Sequence, residues 1–154
     1  MDLKDILSPE ASIVGLNATS KKHLMQELSQ RAAASAGIDA RAAFDALLER
    51  ERLGSTGMGR GVAIPHARLE GLETIIGVFA RLSRSIDYDA PDGEPVDLVF
   101  ALFAPEDAGA DHLRALARIS RSLRDPSICA KLRGADDASA VHAVLTTPLE
   151  SKAA

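Results

Sequence analysis

Four histidines are the first candidates for chemistry in this chain, and their positions in the sequence differ. His66 directly follows Pro65, at the end of a short apolar run and after the glycine-rich segment 54–61. Because proline lacks an N–H and tends to end sheet pairing, we expect the strand to release His66 at the rim of the sheet, where its imidazole is accessible. His23 and His142 fall within predicted helices, and we interpret them as surface or boundary residues.

An accessible imidazole can accept a phosphoryl group near neutral pH and pass it on. Such a site requires a neutral histidine, with cations or hydrogen-bond donors nearby to balance the phosphate. Arginine suits this task because its planar fork matches phosphate oxygens. Arg50 and Arg52, which end the predicted helix before the glycine-rich segment, are the candidates. From these residues alone, a purely structural role for His66 stays open.

Other chemistries lack their motifs. Gly54 and Gly59 have the spacing of a phosphate-binding P-loop, but Arg60 and Gly61 stand where Lys and Ser/Thr are required, and the GxGxxG pattern is missed by one position. The sequence has no HExxH, no HxH and no GxSxG, and Cys129 is its single cysteine. We therefore expect no nucleotide, no other cofactor and no metal.

Composition limits the classes of partner. The 154 residues are 46% hydrophobic and 26% charged, which favours one globular domain, here predicted as 1–150 followed by a loose tail at 151–154. A net charge of −4 and an aromatic content of 3% argue against nucleic-acid binding. The N-terminal sequence lacks the pattern of a signal peptide, no run reaches the length of a membrane span, and the lone cysteine fits a reducing compartment. We expect a cytoplasmic protein without membrane insertion.

The elements that must position His66 follow from periodicity and capping residues. A short helix at about 3–7 precedes a strand at 12–16, and two helices follow, capped by Ser20 and Asp39 and ended by Gly37 and Gly54. Apolar runs at 62–64, 74–81 and 96–103 predict strands, the last two buried on both faces. Three helices complete the chain, the first from Asp111, the next restarting at Asp125-Pro126 and ended by Gly134, and the last after Asp136 or Asp137. The pattern predicts an α/β fold in which helices cover a mixed sheet, with no strand order implied.

The run RERLGSTGMGRGVAIPH at 50–66 closely resembles the IIA components of the bacterial phosphoenolpyruvate-dependent phosphotransferase system (PTS), of the mannitol and fructose type. The resemblance covers nearly the whole chain and includes PEDAGADHLRAL at 105–116, where the family carries a second histidine, here His112. The form LGSTG at 53–57, in a chain of this length, is most similar to the nitrogen-regulatory branch. The family fold is a single-domain mixed sheet with helices on both sides, in agreement with the predicted pattern.

The resemblance also implies roles for three residues. His66 is the phosphoacceptor, modified on its tele nitrogen Nε2 by a phosphocarrier protein of the HPr or NPr kind. Arg50 stabilises the phosphate, and His112 lies beside the phosphorylated ring and supports it. Members of the regulatory branch control target proteins, such as potassium transporters or sensor kinases, according to their phosphorylation state.

Three function classes follow. The first is a regulatory phosphocarrier, for which enzymatic activity in its own right stays an open question. The second is a sugar-uptake component that passes phosphate from His66 to a IIB domain and on to a fructose- or mannitol-like sugar. The third is a binding module that needs no phosphorylation.

The exposed Met58 is expected to join a docking surface for the carrier. The arginines of the helix after Asp111 are expected to form a solvated basic face, to meet an acidic partner, or to complement the charge near a phosphorylated His66; they are Arg114, Arg118, Arg121 and Arg124.

Overall fold

The computed structural model describes residues 2–148, so the predicted tail at 151–154 lies outside the described residues. Two short 3-10 turns open the chain, at Leu3–Asp5 and Pro9–Ala11. The strands are β1 Ser12–Leu16, β2 Gly57–Gly59, β3 Val62–Ala63, β4 His66–Leu69, β5 Ile76–Ile86 and β6 Val96–Pro105. The helices are α1 Lys21–Ala36, α2 Ala40–Arg52, α3 Ala110–Arg124, α4 Pro126–Gly134 and α5 Ala138–Thr146.

Within residues 2–148 the strands form one six-stranded mixed sheet in the order β1-β5-β6-β3-β2. β1 runs parallel to β5, and β5 runs antiparallel to β6. β3 and β4 both pair with β6 in the parallel direction, one after the other along the same edge. β2 folds back on β3 as an antiparallel hairpin. β6 is therefore hydrogen-bonded on both sides, which explains why its residues are buried, with the half-buried Asp97 as the exception.

The helix boundaries follow the predicted capping residues. The Ser20 side chain accepts a hydrogen bond from the His23 backbone N–H at 3.1 Å, and α1 ends at Gly37 with φ of 71°. The Asp39 side chain caps α2 in the same way, but this helix ends at Arg52 with Leu53 as its C-cap, one residue before the end predicted at Gly54. The Asp125 and Asp137 side chains cap α4 and α5. The four predicted N-caps are confirmed. They could be predicted because each cap side chain contacts a backbone N–H within three residues of it.

The segment between α2 and β5 differs from its prediction. The glycine-rich segment was expected to be a loop, but it contains β2, and the strand expected at 62–64 is reduced to β3. β4 was not predicted, and β5 starts two residues later and ends five residues later than the apolar run at 74–81. Short strands at a sheet edge are defined by pairing with a distant partner, here β6, and local periodicity carries little information about them.

The basic face predicted on α3 is interrupted. Arg118 is buried and donates a hydrogen bond to the Ser122 hydroxyl one turn later, so it does not belong to a solvated surface. Arg114 is exposed and forms an ion pair with Asp111 at 2.6 Å. Arg121 and Arg124 are exposed as expected. The prediction was wrong for Arg118, because periodicity locates a helix face but not the elements that pack against it.

Candidate functional site

His66 is the first residue of β4 and lies opposite Leu102 of β6. The prediction that a strand releases His66 at the rim is therefore wrong in its geometry, since His66 opens a paired strand. Pro65 has no N–H and interrupts the edge between β3 and β4, but its carbonyl still accepts from Leu102 N at 2.9 Å. The backbone of His66 is thus held by the sheet while its side chain is half-buried and still reachable.

The His66 ring is held by the backbone carbonyl of the residue two positions earlier in the chain. Its Nδ1 lies 2.8 Å from the carbonyl oxygen of Ile64. A carbonyl can only accept, so Nδ1 carries the hydrogen and Nε2 of the neutral ring carries the free lone pair. Burial lowers the pKa of His66 below its ordinary value of 6.5, and the nearby Arg50 charge adds to this effect, whereas the Ile64 hydrogen bond and the Glu51 charge oppose it. The ring is therefore neutral at neutral pH, with a nucleophilic Nε2.

His112 lies beside His66. It occupies the first turn of α3, it is 6% exposed, and its ring centroid is 5.7 Å from that of His66 with an interplanar angle of 71°. Its Nδ1 accepts a hydrogen bond from Arg68 Nε at 3.2 Å. Burial lowers the pKa of His112, and the neighbouring His66 and Arg68 charges lower it further. The structure thus brings together the two histidines that are 46 positions apart in the sequence.

Of the two candidate arginines, Arg50 is the one coupled to His66. Its Nη1 donates to the Gly54 carbonyl at 2.9 Å, which ties the end of α2 to the start of the glycine-rich segment. The Arg50 charge acts on the pKa of His66, as described above. Arg52 is mostly exposed and pairs with Glu49 on its own helix at 2.9 Å. Of the two candidate arginines, Arg50 is thus the one whose charge acts on the pKa of His66.

The other two histidines each have a backbone partner of their own. His23 Nδ1 accepts from the Thr19 backbone N–H at 3.2 Å, next to the α1 cap. His142 Nε2 lies 3.0 Å from the Leu7 carbonyl oxygen and joins α5 to the first turn of the chain. Both are half-buried, as expected for boundary residues.

A buried carboxylate that the sequence interpretation passed over holds the glycine-rich segment. Glu51 Oε1 accepts from the Thr56 hydroxyl and from the Tyr88 hydroxyl at 3.0 Å. Its Oε2 accepts from the Thr56 N–H at 3.2 Å and lies 2.7 Å from Lys21 Nζ. Burial, followed by the Glu51 charge, raises the pKa of Tyr88, so the phenol stays a neutral donor. One clue was available, since Glu51 lies one turn after the buried Leu47 and continues the apolar stripe of α2.

The far end of the glycine-rich segment is held by a second group of charges. Arg60 has φ of 57°, and its N–H donates to Asp92 at 2.9 Å. Gly61 has φ of 82°, and a Cβ there would lie 2.6 Å from Arg133 Nη2. Arg133 itself makes a two-pronged ion pair with Asp97 at 2.8 and 2.9 Å. The hairpin that leads to His66 is thus anchored at both ends.

The lowered pKa values predict a pH dependence that can be measured directly. Near and below pH 6.5 the unfolded chain binds more protons than the folded one at His66 and His112, so the free energy of unfolding should fall as pH drops from 6.5 toward the folded-state pKa values. The His66 ring should titrate below 6.5 in an NMR pH titration, and the His66→Ala variant should show a shallower stability slope in urea denaturation. A His66 midpoint at or above 6.5 would contradict the role assigned to burial.

Across residues 2–148, no set of three or more His, Cys, Asp or Glu side chains is arranged to hold a metal ion. None of the helices in that part of the chain is long and apolar enough to cross a membrane. The lone pair on Nε2 of the neutral His66 ring is a possible nucleophile, and the His112 ring is in edge contact with that ring.

Comparison with known proteins identifies the family. The family model described as "Phosphoenolpyruvate-dependent sugar phosphotransferase system, EIIA 2" matches residues 5–147. The chain belongs to this family. A protein named "Nitrogen regulatory protein" from Bradyrhizobium diazoefficiens is 55% identical over 148 residues, which cover 96% of this chain and 97% of that protein. The sequence resemblance to mannitol- and fructose-type IIA components, and among them to nitrogen-regulatory proteins, is confirmed.

Solved structures of PTS IIA proteins have the same fold. The nitrogen regulatory protein IIA-Ntr from Neisseria meningitidis superimposes with a TM-score of 0.88 at 36% identity, covering 94% of this chain and 99% of that one. The mannitol IIA protein of Escherichia coli superimposes with a TM-score of 0.71 at 19% identity, covering 88% of this chain and 96% of that one, which supports the fold alone. The predicted fold class, a mixed sheet flanked by helices on both sides, is therefore confirmed.

Proposed function

We propose that this PTS IIA protein is a regulatory phosphocarrier that accepts a phosphoryl group on Nε2 of His66. The observation that carries the proposal is the 2.8 Å contact between His66 Nδ1 and the Ile64 carbonyl, since it leaves the lone pair of a neutral ring on Nε2. A phosphocarrier protein of the HPr or NPr kind, bearing a phosphohistidine, is the proposed donor.

The transfer exchanges one P–N bond for another. The Nε2 lone pair of His66 attacks the phosphorus of the carrier's phosphohistidine, the P–N bond to the carrier breaks, and the electron pair of that bond leaves with the carrier's imidazole. The hydrogen on His66 Nδ1 stays in its bond to Ile64, which stabilises the positive character that the ring gains. Arg50 and His112 supply donors to the phosphoryl oxygens.

The regulatory role rests on the relatives. Family members that match this chain over nearly their whole length bear the name of nitrogen regulatory proteins. We infer that the chain controls target proteins, of the potassium-transporter or sensor-kinase kind, according to the phosphorylation state of His66, in the cytoplasm. Delivery of phosphate to the IIB domain of a fructose- or mannitol-type transporter is the second candidate. It is favoured by the matching family model, whose description names the sugar phosphotransferase system.

The proposal is tested by incubating the purified protein with phosphoenolpyruvate, enzyme I and either the nitrogen-branch or the sugar-branch carrier. We expect one acid-labile phosphoryl group by intact-mass analysis, faster incorporation with the nitrogen-branch carrier, and a phosphorus–nitrogen coupling to Nε2 of one imidazole in NMR spectra. Folded protein that stays unmodified with both carriers would overturn the proposal and favour the phosphorylation-independent module. Faster loading by the sugar-branch carrier, followed by transfer to a IIB domain, would favour sugar uptake.

Three exposed apolar residues lie close in sequence to the glycine-rich segment or to His112. The exposed large hydrophobic residues of the described chain are Leu53, Met58 and Leu113, with 82%, 37% and 67% exposure. Leu53 directly precedes the glycine-rich segment, Met58 lies in β2, and Leu113 follows His112. We propose that these three residues, termed the apolar rim, contact the carrier during transfer.

Met58→Asp is expected to slow phosphotransfer from the carrier by about 10-fold, because a carboxylate on the apolar rim must be desolvated when the carrier docks. The thermal midpoint should stay unchanged, since Met58 is exposed. Time courses of phosphoryl transfer from a phosphorylated carrier measure the effect. Gln30→Asp, which adds the same charge at an exposed position of α1, is the matched control. Equal rates for the two variants would remove Met58 from the docking surface.

A further inference from the structure

Arg68 connects three elements around the second histidine. It lies on β4 two residues after His66, so the two side chains leave the same face of the strand. Its Nε donates to His112 Nδ1 at 3.2 Å, and its Nη1 donates to the Glu106 carbonyl oxygen at 3.2 Å, in the loop before α3. One exposed side chain thereby links the strand of His66 to the helix of His112.

The contact decides which nitrogen of His112 carries the hydrogen. A guanidinium has donors only and keeps its charge in proteins, so His112 Nδ1 must accept. The neutral His112 ring therefore bears its hydrogen on Nε2. That Nε2 is buried and has no hydrogen-bond partner within residues 2–148, although a buried polar group is ordinarily paired.

The unpaired N–H belongs to a ring in edge contact with His66. The ring centroids are 5.7 Å apart and the planes are inclined by 71°, so His112 is within reach of a group attached to the His66 ring. A phosphoryl group on His66 would bring three oxygen acceptors to this place. Such a group supplies the partner that a buried N–H otherwise lacks.

We propose that Arg68 is a positioning residue: it holds His112 in the Nε2–H tautomer, so that His112 donates a hydrogen bond to the phosphoryl group carried by Nε2 of His66. The donor role rests on the proposed function, whereas the tautomer does not. The charge of Arg68 is not required at the phosphate itself. Its side chain acts through the hydrogen bond to Nδ1 and through the bond to Glu106 that orients it.

The tautomer can be measured without any phosphotransfer. Long-range nitrogen–proton NMR spectra of the unmodified protein should show His112 as the Nε2–H tautomer. In Arg68→Met, which keeps an unbranched chain but has no donor, the spectra should shift toward a mixture of tautomers. Arg68→Lys, which keeps a donor, should restore part of the wild-type pattern. An unchanged His112 tautomer in Arg68→Met would overturn the proposal.

The functional consequence is measured by a double-mutant cycle. Arg68→Met should slow phosphoryl transfer to His66 by about 10-fold, less than the ~10²–10³-fold that loss of a direct transition-state donor costs. In a His112→Ala background the same substitution should have no further effect, because the imidazole through which Arg68 acts is absent. Arg84→Met, at an exposed position of β5, is the control and should accept the phosphoryl group at the wild-type rate.

The outcomes separate this proposal from the one it rests on. An equal loss from Arg68→Met in both backgrounds would show that Arg68 acts directly, on the carrier or the phosphate, and would overturn the positioning role. Wild-type protein that accepts no phosphoryl group from either carrier would overturn the proposed function and the donor role together. The tautomer spectra would then still decide whether Arg68 sets the state of His112.

Discussion

His66→Ala is expected to accept no phosphoryl group from any carrier while keeping its fold. The variant removes the nucleophilic Nε2, and the other histidines lack the combination of half-burial, a backbone partner for Nδ1 and a cation coupled to the ring. A half-buried side chain at the start of a strand contributes modestly to stability, so the far-ultraviolet circular dichroism spectrum should match the wild type. Intact-mass analysis after exposure to phosphorylated carrier measures the loss.

Alanine variants of two other histidines are compared with His66→Ala. His112→Ala should still be phosphorylated at His66 but about 10²-fold more slowly, because it loses a donor to the phosphoryl group and keeps the nucleophile. His142→Ala should be phosphorylated as the wild type is, since its imidazole contacts Leu7 in a different part of the fold. A phosphoryl group that persists in His66→Ala, or that disappears in His142→Ala, would refute the assignment of the acceptor.

The helices could be predicted closely because their limits are local. Ser20, Asp39 and Gly37 act on backbone groups within a few residues, so their sequence positions are sufficient to locate helix ends. The edge of the sheet could not be predicted in the same way. β4 exists because residues 66–69 pair with 102–105 of β6, across more than 30 positions of chain, and no local pattern specifies that register.

The same difference between local and long-range contacts applies to the residues of the candidate site. His66 and Arg50 were candidates from the residues themselves, Arg50 together with Arg52, whereas His112 was found through the resemblance; the structure places the two histidines in ring contact. The roles of Arg68 and Tyr88 were not found, because each depends on a contact with a residue more than 30 positions away. Residue type and spacing indicate which chemistry is available. The tautomers and pKa shifts that tune this chemistry follow from packing.

Glu51→Ala is expected to lower the free energy of unfolding by about 3 kcal/mol, the lower end of the range for removing one partner of a buried charge pair. Glu51 is the shared acceptor for Thr56, Tyr88 and Lys21, and its side chain is 6% exposed. With alanine there, the Thr56 N–H loses its partner while staying away from water, and the buried Tyr88 hydroxyl keeps only its 2.8 Å contact with the Thr56 hydroxyl. Urea denaturation followed by circular dichroism measures the change.

The control is Glu49→Ala, the same substitution two residues earlier on α2. Glu49 is paired with Arg52, but both side chains are about 70% exposed, so its loss should cost at most ~1 kcal/mol. Equal destabilisation by the two variants would show that the buried network contributes nothing beyond a surface ion pair. Because Glu51 holds Thr56, and the Thr56 carbonyl accepts from the Ile64 N–H at 3.1 Å, loss of Glu51 should also loosen the backbone that fixes His66 Nδ1. Glu51→Ala should therefore slow phosphoryl acceptance at temperatures where it is still folded, whereas Glu49→Ala should not.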